Sequence, residues 1–423
     1  MYKTHKLMNR IILIGNGFDL AHGLETSYGN FIDWYWRKWR NELRSSTNST
    51  LKDELCEFSL KYKNSGWLAY LFTNQIFISS LNGFEFINHL KQCQEIKIIQ
   101  CDFLERISHS VETKGWVDIE NEYYNLLVSC YKQEISKLTH QKLNIQLRHL
   151  QDLLTEYLNH LPVDSINILP QIKEIIYSPI NPRDISVSGK EQIISHINYW
   201  TNCNEHEFIY KIRKYNLERE YGSDRQDFEC NTNKSKNDWD YLYRNYNSFF
   251  LPDNILMLNF NYTATANKYI QNKSSVAEIN HIHGELTNPD SVIFGYGDEL
   301  DENYKNLSNL NDNEYLKNFK SIKYLESDRY RKALQFMDAE PYQVYIMGHS
   351  CGNSDRTFLN TLFEHKNCVS IKPYYYKDGD KDNYLDIVQN ISRNFKDMKL
   401  MRDRVVNKTY CEPFSVKEPD TND

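Results

Sequence analysis

The feature that most constrains this fold is a set of short, nearly unbroken apolar runs. They are "RIILIG" at 10–15, "NILMLNF" at 254–260, "EINHIHG" at 278–284, "SVIFGYG" at 291–297, "YQVYIMG" at 342–348 and "CVSIKPYYY" at 368–376. A strand with one wet face alternates apolar and polar residues. Several of these do not alternate, so they read as strands covered on both faces, as in a parallel sheet. Helical patterns such as "TATANKYIQNK" and "DRTFLNTLFEHK" lie between some of them. Strands alternating with helices predict a doubly wound, Rossmann-like α/β fold.

The runs cluster at the two ends of the chain, so the sheet is predicted to be split. A discontinuous α/β core is expected at 1–30 and 250–400, a large, mainly helical insertion at 31–249, and a C-terminal tail at 401–423. Within the insertion, Leu143, Leu147, Leu150, Leu154, Tyr157 and Leu161 recur at spacings of 4, 3, 4, 3 and 4. That seam fits a helix packed within a helical subdomain better than an intermolecular coiled coil. Residues 215–240 are polar and read as a loop.

Composition removes several classes of function. Aromatic residues make up 14% of the 423, which argues for a packed chain over a disordered one. A formal net charge of -7 argues against broad binding to nucleic-acid phosphates. The nine cysteines include no C-x-x-C pair, so no zinc ribbon is expected, and their scatter suits a reducing compartment. The apolar stretch near the N-terminus is only Ile11 to Ile14, too short for a signal peptide or a membrane span. The expectation is a soluble, cytoplasmic protein without membrane contact.

"YIMGHSCGNSDRTFL" contains G-x-S-x-G between a strand and a helix, the setting of a hydrolase nucleophile elbow. The triad then needs an acid and a histidine further along the chain. Only His365 follows Ser350, at the far end of the helix directly behind the turn. Ser350 is therefore not read as a nucleophile. Gly348, Ser350, Gly352 and Asp355 instead sit where open α/β sheets bind ligands, with Ser350 or Asp355 as hydrogen-bonding groups. The competing reading is a tight turn in which Asp355 or Ser354 caps the next helix.

Gly15-Asn16-Gly17 follows the first run and suits a tight turn that holds phosphate near backbone amides. The third glycine of a dinucleotide fingerprint is missing, because Leu20 stands in its place. Asp19 and His22 are candidate contacts, and Thr26, Ser27 and Tyr28 form a second polar cluster.

"LNFNYT" presents Asn259, Asn261 and Thr263 near a strand tip. "NHIHGEL" puts His281 and His283 on one face of a strand, since side chains two apart point the same way. Three readings stand for the pair: a metal site, which also needs His349 or His365; structural hydrogen bonding, suited to His281; and catalysis by His283, backed by Gly284, beside an asparagine that positions water. "GWVDIENEYY" adds Glu120 as a candidate cleft carboxylate, or as part of a solvated helix face.

Together, "LIGNGFDLAHGLETSY", "WVDIE", "LNFNYT", "HIHGEL" with "VIFGYGDE", and "IMGHSCGNSD" resemble the AbiH family of bacterial abortive-infection proteins, in the family's order. More distantly the pattern resembles the sirtuin-like fold. That resemblance implies that the Gly15-Asn16-Gly17 loop receives a dinucleotide. It also implies that Asn261 orders water and ribose, that His283 acts on the ribose hydroxyls, and that Gly348 to Ser350 contact adenosine. Two departures stand out. There is no four-cysteine zinc module, which argues against protein deacetylation. Thr263 occupies a place where many sirtuin-like hydrolases carry aspartate.

The resemblance implies an NAD-hydrolysing effector of phage defence, with NAD as substrate, no separate cofactor and no metal. Such activity has to be silent at rest, which implies a homo-oligomer, a defence-system partner or a phage trigger. The alternatives are a nucleotide-binding sensor without turnover, and a metal-dependent hydrolase or nuclease using His281, His283 and His349.

Overall fold

The computed structural model describes residues 7–61, 81–115, 117–195, 250–270 and 276–414. The polar stretch at 215–240 lies outside the described residues. The chain divides into two compact units: Met1–His22, Asp164–Gly284 and Ser327–Asp423 form one, Gly23–Val163 and Glu285–Glu326 the other. The helical unit thus takes back 285–326, which had been expected in the sheet core. The sheet unit claims the segment from Asp164, which had been expected in the insertion.

In chain order, β1 (Asn9–Ile14) lies in the first unit, and β2 (Thr50–Lys52), β3 (Cys56–Leu60) and β4 (Ile96–Gln100) in the second. Next come β5 (Ile255–Asn259), β6 (Ala277–His281), β7 (Tyr342–Met347) and β8 (Cys368–Tyr374), all in the first unit. These four join β1 in one sheet of order β6-β5-β1-β7-β8, in which every pairing is parallel. Numbered within the sheet alone, that is 3-2-1-4-5, the order of a doubly wound nucleotide-binding sheet. Every residue of β1, β5, β7 and β8 is buried, which is why their sequences run apolar without alternating.

Ile12, Ile14, Phe18, Met257, Tyr345 and Met347 share one apolar cluster with Ile172 and Ile176. Each such side chain contributes roughly 1.5–3 kcal/mol by leaving water. Arg10 interrupts the apolar run of β1 and is fully buried. Its guanidinium donates to the carbonyls of Ile176 (2.9 Å) and Ser178 (2.8 Å) and lies over the Tyr345 ring. A buried arginine is tolerable here because it satisfies carbonyls at the end of helix Pro170–Tyr177.

Two expectations need correcting. The run at 291–297 is not a strand. It follows a 3-10 turn at Pro289–Ser291, and only Tyr296 makes an isolated bridge, to Phe319. The segment from 401 is not a free tail as far as Phe414. Val406 N–H donates to Ile371 O (2.9 Å) and Phe414 N–H to Tyr375 O (2.6 Å). An edge strand leaves backbone groups unpaired, and this segment pairs those of β8 and its extension.

The second unit is mainly helical, with Tyr28–Ser45, Gly83–Lys91, Asp102–Lys114, Ile119–Tyr131 and His140–Asn159 as its main helices. The leucine seam is internal: Leu143, Leu147, Leu150, Leu154 and Tyr157 are all buried. The antiparallel sheet β2-β3-β4 was not expected in this region. Its central strand alternates buried and half-buried residues over only five positions, too short a pattern to stand out among helices.

Candidate active site at the carboxyl edge of the sheet

In a doubly wound sheet the crevice opens beyond the carboxyl ends of the strands where the winding reverses. Here that point lies between β1 and β7. Gly15 and Gly17 leave β1, Gly348 and His349 leave β7, and the two turns interlock through their main chains. Gly15 N–H donates to Met347 O (3.2 Å) and Gly17 N–H to Gly348 O (2.9 Å). A Cβ on Gly15 would lie 2.5 Å from His349 Cα, and one on Gly17 2.8 Å from Gly348 Cα. Gly348 has φ +74, and a Cβ there would meet Phe18 N at 2.1 Å. These glycines therefore let two backbones touch. The phosphate cradle expected at the amides of Gly15 and Gly17 is corrected, because both amides already donate to the β7 turn. Asn16, exposed at the start of the short helix Asn16–Ala21, remains on the open side.

β5 delivers the next group. Asn259 Oδ1 accepts from Asn261 N–H (3.1 Å), and Asn259 Nδ2 donates to Thr263 O (3.1 Å), so one buried amide folds the chain over the strand tip. Half-buried Asn261 donates from Nδ2 to Gly15 O (3.0 Å), which ties the β5 tip to the glycine turn. The Thr263 hydroxyl donates to Asp19 Oδ2 (2.6 Å). Asp19 is 1% exposed, and its Oδ1 has no hydrogen-bond partner among the described residues. Burial pushes its carboxyl up to about 6, against the lowering effect of hydrogen bonding from Thr263, Thr265 and Asn261. A carboxylate therefore does stand beside residue 263, carried by β1's turn rather than by the β5 loop.

The two histidines of H-x-H part company. β6 ends at His281, and the chain turns through Gly284, whose φ of +86 needs a glycine and whose N–H donates to His281 O (2.9 Å). His281 and His283 consequently do not share a strand face, which corrects the sequence expectation. His281 sits between Asn259 Nδ2 (3.2 Å) and Asn267 Oδ1 (2.9 Å) as a structural group. His283 Nε2 lies 3.1 Å from Asp355 Oδ1, and His349 Nε2 lies 3.5 Å from Asp355 Oδ2. His349 Nδ1 accepts from Cys351 N–H (3.0 Å), so its proton sits on Nε2, toward the carboxylate. All three side chains are buried, and the Phe260 ring packs edge-on against both imidazoles. A carboxylate that holds an imidazole in one tautomer is the usual support for a histidine base.

Asp355 was expected as a ligand contact or a helix cap. It makes no cap hydrogen bond and is engaged by the two histidines. The sequence reading places His349 in a metal alternative and within the Gly348–Ser350 turn implied to contact adenosine, and its place in G-H-S is the available clue to its position beside Asp355. Ser350 is exposed, and its carbonyl accepts from Asn390 Nδ2 (2.8 Å). The left-handed backbone that strains a nucleophile elbow falls on Cys351 (φ 56) instead, and burial holds that thiol well above its usual range. Thr26 and Tyr28 belong to the second unit. So does Glu120, whose carboxylate accepts from Lys320 Nζ (2.8 Å) and Gly295 N–H (3.1 Å). It is bound up in a buried ion pair of that unit. Among the described residues no group of three or more His, Cys, Asp or Glu is placed to hold a metal ion.

A family model described as bacteriophage abortive infection AbiH matches residues 11–376. The chain belongs to the AbiH family. As an AbiH protein it is a bacteriophage abortive-infection protein, and the matched span includes every residue of the site just described. No curated protein and no solved structure matches the chain. Among the described residues of this AbiH chain, no helix is long and apolar enough to cross a membrane.

Proposed function

We propose that this protein hydrolyses NAD at the nicotinamide–ribose bond as the effector step of abortive infection. One observation carries the reading: Asn261 and the Asp355-supported His283 stand at the carboxyl ends of neighbouring strands, beside the crossover of a doubly wound sheet. In the reaction the C1′–N bond breaks through an oxocarbenium-like transition state, electronically akin to glycoside cleavage. Nicotinamide is cationic before cleavage and leaves neutral with the bond's electron pair, so no strong general acid is required. Asn261 holds the water whose oxygen bonds C1′. His283 hydrogen-bonds the ribose hydroxyls as a base, and the released proton passes to solvent. Asn16, Gly17, Thr263, Gly284, Gly348 and Ser350 line the nucleotide's course along the strand ends.

Loss of NAD would halt phage and host together. Control by a homo-oligomer, a partner protein or a phage product is part of the proposal. A binding-only sensor is the second reading. It is favoured by the fact that the Asn261 amide and the Thr263 hydroxyl already bond within the protein.

The test is NAD loss and nicotinamide release by purified protein and in lysate of phage-infected cells, with chelator present. Wild type is compared with Asn261→Ala and His283→Ala. Turnover that collapses in both variants is the expected result. NAD binding without turnover, even in infected lysate, would replace the hydrolase by the sensor.

A further inference from the structure

Asp19 is the most conspicuous polar group that the hydrolytic scheme leaves unused. It is buried beside the strand tip that carries Asn261, and its Oδ2 accepts from the neutral Thr263 hydroxyl (2.6 Å). Oδ1 is buried without a partner, and among the described residues no lysine, arginine or histidine forms an ion pair with this carboxylate. Three other buried acids among the described residues are treated differently. Asp184 has Lys372 at 3.0 Å, Glu120 has Lys320 at 2.8 Å, and Asp355 has two imidazoles. A buried carboxylate without a cation is costly unless something else supplies the positive charge.

We propose that Asp19 is the counter-charge for the cationic end of the bound ligand, so that the site takes the oxidised, positively charged nicotinamide dinucleotide and disfavours its neutral, reduced form. This rests on the nucleotide reading above and adds a specificity-determining residue to it. The location fits: Asn261, the residue assigned to the reacting ribose, is held at the same strand tip, bonded to Gly15 O and two residues from the Thr263 that bonds Asp19. A fixed negative charge there favours the cationic ring in the ground state. It also favours the oxocarbenium-like carbon as positive charge shifts onto the sugar.

Burial holds the Asp19 carboxyl up at about 6, so its charge is present at pH 8 and largely gone at pH 5. The groups facing it are Thr263, Thr265 and Asn261, none of which titrates in this range, and comparison with Asp19→Asn separates its titration from that of the histidines elsewhere in the site. Bringing a cation beside it restores an ordinary carboxylate, and the preference this generates is on the order of ten- to a hundredfold.

The experiment is calorimetric binding of NAD+ and NADH to the full-length protein at pH 8 and pH 5, for wild type, Asp19→Asn and Thr263→Val. Wild type is expected to prefer NAD+ at pH 8 and to lose most of that preference at pH 5. Asp19→Asn should show little preference at either pH. Thr263→Val keeps the carboxylate but removes its hydrogen bond, so the preference should fade at a higher pH than in wild type. NAD+ and NADH bound alike by wild type at pH 8, or a preference that survives in Asp19→Asn, would overturn the inference and leave the nucleotide site standing. Binding of neither form to wild type would remove the nucleotide reading and the inference with it.

Discussion

Asp355 contributes through the His283 imidazole, and at the scale of single residues that gives a sharp expectation. Its Oδ1 faces His283 Nε2 and its Oδ2 faces His349 Nε2. Asparagine keeps the shape but offers an N–H where a carboxylate oxygen accepted, so the imidazole is free to take the wrong tautomer. Under the proposed hydrolysis, Asp355→Asn is expected to lower kcat on the order of a thousandfold, with KM changed little, because the ribose contacts proposed for the site would remain. Steady-state kinetics on the activated enzyme checks this. A change confined to KM would place Asp355 in ligand binding instead. Asn259 and His281 work differently: each is saturated by neighbouring amides, and their contribution is to the shape of the strand tips.

At the scale of elements, the decisive contact is between the turn after β1 and the turn after β7. The amides of Gly15 and Gly17 bond the β7 turn, and a side chain at any of the three glycines would strike backbone, which has no rotamer to yield. Gly348→Ala carries two penalties, a left-handed φ of +74 and a Cβ at 2.1 Å from Phe18 N. It is expected to destabilise the sheet unit by more than about 3 kcal/mol, as the strained backbone and the overpacked contact add. Gly23→Ala is the control, because Gly23 also has a positive φ (+78) but nothing within 4 Å of its Cβ position. A modest loss of about 1 kcal/mol is expected there. Equal loss in the two variants, measured by denaturant unfolding, would show that conformation alone and not the interlocked turns is responsible.

For the whole molecule, Asp19 ties stability to pH. Its carboxyl is raised in the folded state to about 6 from an ordinary value of 3.8. Between those values the folded chain holds more protons than the unfolded one, so stability falls as pH rises through this window. At neutral pH the cost is about 3 kcal/mol, the free-energy equivalent of the shift. Asp19→Asn is therefore expected to raise the melting temperature at pH 7 and to have little effect near pH 4. A group retained only for folding would show the reverse at neutral pH. Stabilisation at pH 7 together with lost NAD+ preference would mark Asp19 as a residue kept for its charge.

The sequence by itself determined the strands of the parallel sheet, because a strand buried on both faces must be apolar along its whole length, and that is a local property. It also put Asn261 just past the tip of β5, whereas His283, read as sharing a strand face with His281, stands two residues beyond the end of β6. The extent of the sheet unit and the short antiparallel sheet were not legible, because five-residue alternation carries little signal. Tertiary structure alone decided the partners. Thr263 meets Asp19 across 244 residues of chain, and His283 in the turn after β6 meets Asp355 in the connection after β7. Periodicity reports which face of an element is covered, whereas strand order decides which distant polar groups are brought together. For that reason the glycine turn, read as a phosphate cradle, proved to be the place where two backbones lock, and a carboxylate absent from position 263 stands beside it in space.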